Sequence, residues 1–61
     1  MKYIATVYHE EETRTRIYQQ DDGNYMTDYE EYFNELGWHH TSTETNISKE
    51  VIEYDYDIKI A

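Results

Sequence analysis

Residues 27 to 37 read TDYEEYFNELG, and this stretch governs the predicted fold. Thr27 followed three residues later by Glu30 is a capping-box pattern, and Gly37 suits the residue that follows the end of a helix. The apolar side chains recur at helical spacing and would form one buried stripe, made of Tyr29, Tyr32, Phe33 and Leu36. We therefore predict a helix over residues 28 to 36.

Residues 51 to 60, VIEYDYDIKI, show the clearest strand alternation in the chain. One side of this predicted strand would carry Ile52, Tyr54, Tyr56, Ile58 and Ile60. The opposite side would carry Glu53, Asp55, Asp57 and Lys59. The pattern predicts a C-terminal strand with its apolar side in the core.

Three further strands are predicted from the rest of the chain. Residues 2 to 9 and 13 to 20 alternate as two strands of a hairpin, joined by the solvated acidic connection at residues 10 to 12. Residues 21 to 24, DDGN, have the chemistry of a turn, because Asp and Asn bond to nearby backbone and Gly accepts positive φ. Residues 38 to 47 read as a strand with threonines on one side.

The predicted element order is ββαββ, in one α+β domain that spans residues 1 to 61. One helix would pack on one face of a four-stranded sheet. Two strand arrangements remain open. In the first, the first and last strands pair in the middle, as in a β-grasp sheet. In the second, the four strands follow one another as an antiparallel meander.

Charge decides which partners the chain can attract. Fourteen acidic residues against five Lys and Arg give a net charge of −9, which opposes binding to nucleic acid or an anionic membrane and attracts a basic protein surface. Mean hydropathy is low, at −1.08, but eight Tyr, one Phe and one Trp favour a folded chain over a disordered one. The absence of Cys and of any signal or membrane-spanning segment predicts a cytoplasmic protein.

The ionisable residues indicate binding instead of catalysis. With fourteen acids and three His, acid–base pairs arise by chance, and no nucleophile motif accompanies them. His39 and His40 are adjacent, so on a strand their rings point to opposite faces, and no zinc-binding spacing is present. We expect neither enzymatic activity nor a metal or other cofactor.

A row of acids on the predicted last strand is the first candidate site. Glu53, Asp55 and Asp57 would project from one face at intervals of about 6.6 Å, close to the roughly 6 to 7 Å between phosphates along a winding nucleic-acid strand. The predicted helix adds Asp28, Glu31 and Glu35, and the turn adds Asp21 and Asp22. These carboxylates either imitate a phosphate backbone or are solubilising surface charges.

Tyrosine supplies the second part of the candidate site. Eight Tyr exceed what so small a core can bury, and exposed Tyr beside carboxylates suits a protein interface. Tyr8, Tyr18 and Tyr25 are predicted to be exposed. Tyr18 and Tyr25 join the acids as predicted partner-binding residues.

In size, charge and aromatic content the whole chain resembles the small acidic bacteriophage proteins that disable host enzymes. That group includes DNA-mimic anti-restriction proteins, anti-CRISPR proteins and inhibitors of uracil-DNA glycosylase. The resemblance implies an inhibitor that occupies the basic nucleic-acid groove of a host protein, in the host cytoplasm if a phage encodes it. We expect a monomer or a homodimer. A second hypothesis is a small adaptor or assembly subunit that pairs through an exposed strand edge, at residues 38 to 47 or 13 to 20.

Overall fold

The computed structural model describes residues 1 to 61, which form four strands followed by one helix. The strands pair antiparallel in chain order, as a single meander. This confirms the α+β class, the four-stranded sheet with one helix, and the meander arrangement. The elements are β1 (Lys2–Glu10), β2 (Thr13–Gln19), β3 (Tyr25–Phe33), β4 (Gly37–Ile47) and α1 (Lys49–Tyr56).

The helix predicted over residues 28 to 36 is wrong, because this region forms β3. Thr, Tyr and Phe are weak helix formers and good strand formers. β3 also pairs on both sides, with β2 and with β4, so its backbone groups are satisfied without a helix. Sheet pairing therefore outweighs the local capping pattern. The predicted buried stripe does not form, and two of its members, Phe33 and Leu36, are exposed.

The strand predicted over residues 51 to 60 is also wrong, because residues 49 to 56 form α1. The Ser48 hydroxyl caps this helix by accepting a hydrogen bond from the Val51 amide at 3.3 Å. Ile52 and Tyr56, four residues apart, lie on the side that faces the sheet, whereas Tyr54 is 88% exposed. The observed order is therefore ββββα, in place of ββαββ.

The core lies between α1 and one face of the sheet. Ile17 of β2, Tyr25 of β3 and Ile52 of α1 are its buried members. Six partly buried side chains pack around them: Ile4, Val7, Ile47, Tyr56, Ile58 and Ile60. The chain after the helix returns to this core, and the Ile60 amide donates to the Glu53 carboxylate at 2.8 Å. α1 and the residues that follow it thus cover the central part of one face of the sheet, which we call the covered face.

The opposite face, which we call the open face, carries no helix. Strand alternation and register place Arg14, Arg16 and Tyr18 of β2 on it, while Thr15 and Ile17 point to the covered face. The same register assigns to the open face Tyr3, Thr6 and Tyr8 of β1, Met26, Asp28, Glu30 and Tyr32 of β3, and Trp38, His40 and Thr43 of β4.

No helix in the structure has the length and apolar character needed to cross a membrane.

Candidate binding surfaces

Arg14 is the central cation of the open face. Its Nε donates to Glu30 Oε1 at 2.6 Å, and the two side chains are only 16% and 14% exposed. Its guanidinium carbon lies 4.0 Å from the centroid of the Trp38 ring. Burial alone would lower the pKa of Arg14, but its interactions with Glu30 and Tyr8 outweigh burial and raise that pKa. Arg14 is therefore held between the Glu30 carboxylate and the Trp38 ring.

Three aromatic rings surround this cation at one end of the open face. Tyr8 and Tyr32 meet Trp38 edge to face, with ring centroids 6.0 and 5.5 Å apart. Tyr8 is 62% exposed, and Trp38 is half-buried, so that part of its ring is also accessible. Such edge-to-face pairs and the stacked guanidinium are mutually stabilising. This end thus exposes aromatic surface while its rings are held in place by contacts with one another.

The other end of the open face repeats the same chemistry. Tyr3 and Tyr18 meet edge to face at 5.8 Å, and the Arg16 guanidinium lies 6.0 and 5.7 Å from their centroids. Tyr3 is 53% exposed. Tyr18, predicted to be exposed, is half-buried on this face.

A polar triplet crosses from β3 to β4 on the open face. The Thr43 hydroxyl donates to Asp28 Oδ1 at 2.6 Å and lies 2.6 Å from His40 Nε2. The same His40 nitrogen is 3.6 Å from the Asp28 carboxylate. Asp28, one of the predicted partner-binding acids, is thus engaged within the protein.

The row of acids predicted at Glu53, Asp55 and Asp57 has no strand to carry it. Glu53 and Asp57 line a shallow depression beside Tyr54 on the outer side of α1, together with Glu50. Asp55 is two residues from Glu53, about 200° around a helix, and therefore points elsewhere. The regular 6.6 Å spacing is wrong, although the role of these acids in partner binding stays a prediction.

The other predicted acids are distributed over both faces and both ends of the sheet. Glu31 lies on the opposite side of β3 from Asp28 and accepts from the Thr41 hydroxyl at 3.3 Å. Glu35 is exposed in the β3–β4 turn, and Asp21 and Asp22 are exposed in the β2–β3 turn. The helix that was expected to gather Asp28, Glu31 and Glu35 is absent, so the structure does not bring them together.

Asp21 is tied to the start of the chain. The amino group of Met1 donates to Asp21 Oδ1 at 2.7 Å. This hydrogen bond, together with the positive charge of the amino group, lowers the pKa of Asp21. The next residue, Asp22, accepts from the Asn24 amide at 3.0 Å and shapes the turn.

Tyr25 corrects another prediction. It was expected to be exposed and to bind a partner, but it is 5% exposed and belongs to the core. It begins β3 on the covered side, where Ile52 of the helix packs against Ile17. Tyr8 is exposed as predicted.

Exposed acidic residues form rims at the two ends of the open face. Of the fourteen acids in the chain, all except Asp28, Glu30, Glu31 and Glu53 are exposed. In a meander, the first and third turns lie at the same end of the sheet, which places Glu35 at the end that carries Glu10, Glu11 and Glu12. Asp21 and Asp22 lie at the opposite end. The open face itself is balanced, with Arg14 and Arg16 opposite Glu30 and Asp28.

Tyr18 and Asp28 of the open face were predicted from the sequence to bind a partner, whereas Arg14, Arg16 and Trp38 were not. The alternation TRTRIY at residues 13 to 18 was the available signal, because it places both arginines and Tyr18 on one side of a strand. The sequence could not show that Trp38 belongs to the same surface, because only the register of β4 on β3 brings it beside these residues. Tyr, Trp, Met and Arg are the residue types enriched in protein interfaces.

The sheet also has two free edges, β1 and β4. β4 is eleven residues long and exposed over most of its length. β2 lies between β1 and β3, so the hypothesis of an exposed edge at residues 13 to 20 is wrong, while residues 38 to 47 do lie at an edge.

No three His, Asp or Glu side chains gather in an arrangement that could hold a metal ion. Comparison of the chain with protein-family models, with characterised proteins and with solved structures gives no match. The function is therefore inferred from the charges and surfaces of the molecule.

Proposed function

We propose that this protein binds a basic, nucleic-acid-binding protein of a host and thereby inhibits or sequesters it. The observation that carries the proposal is the net charge of −9, with acids exposed at both ends of the sheet and along the helix. A field of this sign accelerates encounter with a basic surface and disfavours nucleic acid itself. A basic surface that holds this protein is no longer free to hold a phosphate backbone.

The proposed mimicry is collective. The exposed carboxylates compete with phosphates for the same cations through their number, because no evenly spaced row exists to match a phosphate backbone. A protein of this kind needs no catalytic residue and no cofactor. It fits the role of a bacteriophage inhibitor in host takeover, acting in the host cytoplasm as a monomer or homodimer.

Affinity capture from a bacterial lysate tests this function. Immobilised protein should retain basic nucleic-acid-binding proteins at low salt and release them at high salt or on addition of duplex DNA. Two variants locate the acids that matter: Glu10→Gln/Glu11→Gln/Glu12→Gln at one end of the sheet, and Asp55→Asn/Asp57→Asn at the helix. Asn suits position 57, because Asp57 has a left-handed backbone with φ of 53°.

Each variant that removes partner-binding acids should weaken capture. The Asn pair should also lower the salt dependence of binding by about two units of logarithmic slope, by analogy with phosphate contacts. The matched control is Lys49→Gln/Lys59→Gln, which makes the protein more acidic and should bind more tightly. Retention that neither salt nor duplex DNA reverses would contradict the proposal.

The second candidate function is an adaptor that pairs through β4. The observation that favours it is the unpaired outer edge of this long, exposed strand. Hydrogen exchange distinguishes the two functions. A partner strand added to β4 would slow exchange of its outward amides at high and low salt alike, whereas charge-driven binding would disappear at high salt.

A further inference from the structure

We propose that the open face is the surface on which the partner docks, and that its occupant is an arginine-rich surface of that basic protein. The partner's guanidinium groups would stack on the exposed tyrosine rings while the acidic rims attract its positive charge. This inference rests on the proposed function and specifies its binding surface.

The first observation is the amount of aromatic surface left outside the core. The buried apolar core has only three members, of which one is aromatic. On the open face, Tyr3 and Tyr8 are more than half exposed, and Tyr32 and Trp38 are also accessible. Two groups of exposed aromatic rings on one face of so small a protein are typical of an interaction site.

The second observation is that this face already binds arginine. Arg14 stacks 4.0 Å from the Trp38 centroid, and Arg16 lies near both Tyr3 and Tyr18. Each intramolecular arginine also has an acid opposite it on β3. A planar guanidinium suits such sites better than an ammonium, because it stacks on rings and bonds to carboxylates at the same time.

The third observation is charge complementarity. The open face is locally balanced, but the exposed acids of the β1–β2, β2–β3 and β3–β4 turns lie at its two ends. A basic partner laid along the sheet would meet acids at both ends. A second copy of this chain would instead bring two molecules of charge −9 together.

The size of the face is also suitable. The two longer axes of the molecule measure 36 and 21 Å, an outline of the same order as the ~800 Å² that each partner contributes to a standard interface. The face therefore has room for several arginine side chains at once.

The test uses two defined probes, an arginine nonapeptide and a lysine nonapeptide, each labelled for fluorescence anisotropy. Trp38 is the only tryptophan and lies on the open face, so its emission reports whether a probe binds there. We expect the arginine peptide to bind several-fold more tightly than the lysine peptide and to change Trp38 emission.

The variant Tyr3→Ser/Tyr8→Ser removes the two most exposed rings of the open face. It should weaken binding of the arginine peptide roughly tenfold. The matched control is Tyr54→Ser, which removes a ring that is 88% exposed on the outer side of α1, and it should leave affinity unchanged. Circular dichroism of all three proteins checks that the fold is kept.

Several outcomes would overturn the inference. If the tyrosine variant binds the arginine peptide as well as the wild type, while the glutamine variant at residues 10 to 12 loses it, binding depends on charge alone; the proposed function then stands and the docking surface does not. If neither peptide binds, the proposed function fails as well. Sedimentation could also detect a dimer of the wild type that the tyrosine variant does not form. The open face would then bind a second copy of this chain instead of a basic protein. If a single-stranded oligonucleotide quenches Trp38 emission, the open face binds nucleic acid and not a basic protein.

Discussion

The two faces of the sheet use the same strands for different purposes. On β2, Thr15 and Ile17 point to the covered face and are buried. Arg14 and Arg16 point to the open face, where both lie near aromatic rings and Arg14 pairs with Glu30. The covered face is held by exclusion of water between α1 and the sheet. The open face is held by stacking and an ion pair, interactions that persist beside water. Strand alternation therefore separates the buried apolar contacts of the sheet from its aromatic and charged groups beside water.

The largest effect is expected on the covered face. Ile52→Ala removes the fully buried side chain by which α1 packs on the sheet. The loss should be about 2–5 kcal/mol, a large part of the stability of so small a domain. Urea denaturation followed by circular dichroism measures it. Tyr54→Ala, on the exposed side of the same helix, is the control, and similar midpoints for the two variants would contradict this account of the core.

The next effect concerns the ion pair of the open face. Arg14→Met leaves Glu30 largely buried without its cation and should cost about 1–3 kcal/mol of unfolding free energy. The double variant Arg14→Met/Glu30→Met should recover part of that loss, because no unpaired charge remains. A double-mutant cycle from urea denaturation gives the coupling energy. Additive losses would mean that the pair contributes no coupling.

Salt should have a smaller, stabilising effect. The exposed acids of the rims repel one another in the folded state, and added NaCl screens that repulsion. We expect the thermal midpoint at pH 7 to rise by a few degrees. The glutamine variant at residues 10 to 12 should respond less than the wild type, since fewer charges remain to be screened. A midpoint that falls with salt would show that attractive ion pairs dominate instead.

The smallest expected effect is that of Asp21. The Met1 amino group lowers the pKa of this carboxyl in the folded protein below its usual 3.8. The ion pair therefore adds stability above that value, and this contribution is lost as pH falls through the folded pKa. The stability difference between wild type and Asp21→Asn should be constant from pH 5 to 7 and vanish in acid. Asp22→Asn, which removes a charge from the same turn without touching the amino group, is the control.

Local sequence was sufficient for the parts of the fold that depend on near neighbours. The hairpin at residues 2 to 20, the turn at residues 21 to 24 and the strand at residues 38 to 47 were all predicted, because alternation and turn chemistry are written in adjacent residues. The charge and its sign are likewise properties of the sequence alone. They limit the kind of partner that the protein can attract.

Tertiary structure decided the two segments whose patterns fit both a helix and a strand. In residues 25 to 33, the side chains of Tyr25, Thr27 and Tyr29 also alternate as in a strand, and pairing with both β2 and β4 selects that state. In residues 49 to 56, Ile52 and Tyr56 share one side of a helix as well as one side of a strand. The Ser48 cap and packing against Ile17 select the helix.

The candidate binding surface divides in the same way. The alternation of β2 by itself put Arg14, Arg16 and Tyr18 on one side of a strand. Only the register of β1, β3 and β4 brought Tyr8, Tyr32 and Trp38 around Arg14. Local spacing fixes which side of a strand a residue occupies, whereas its neighbours across the sheet depend on pairing between residues distant in sequence.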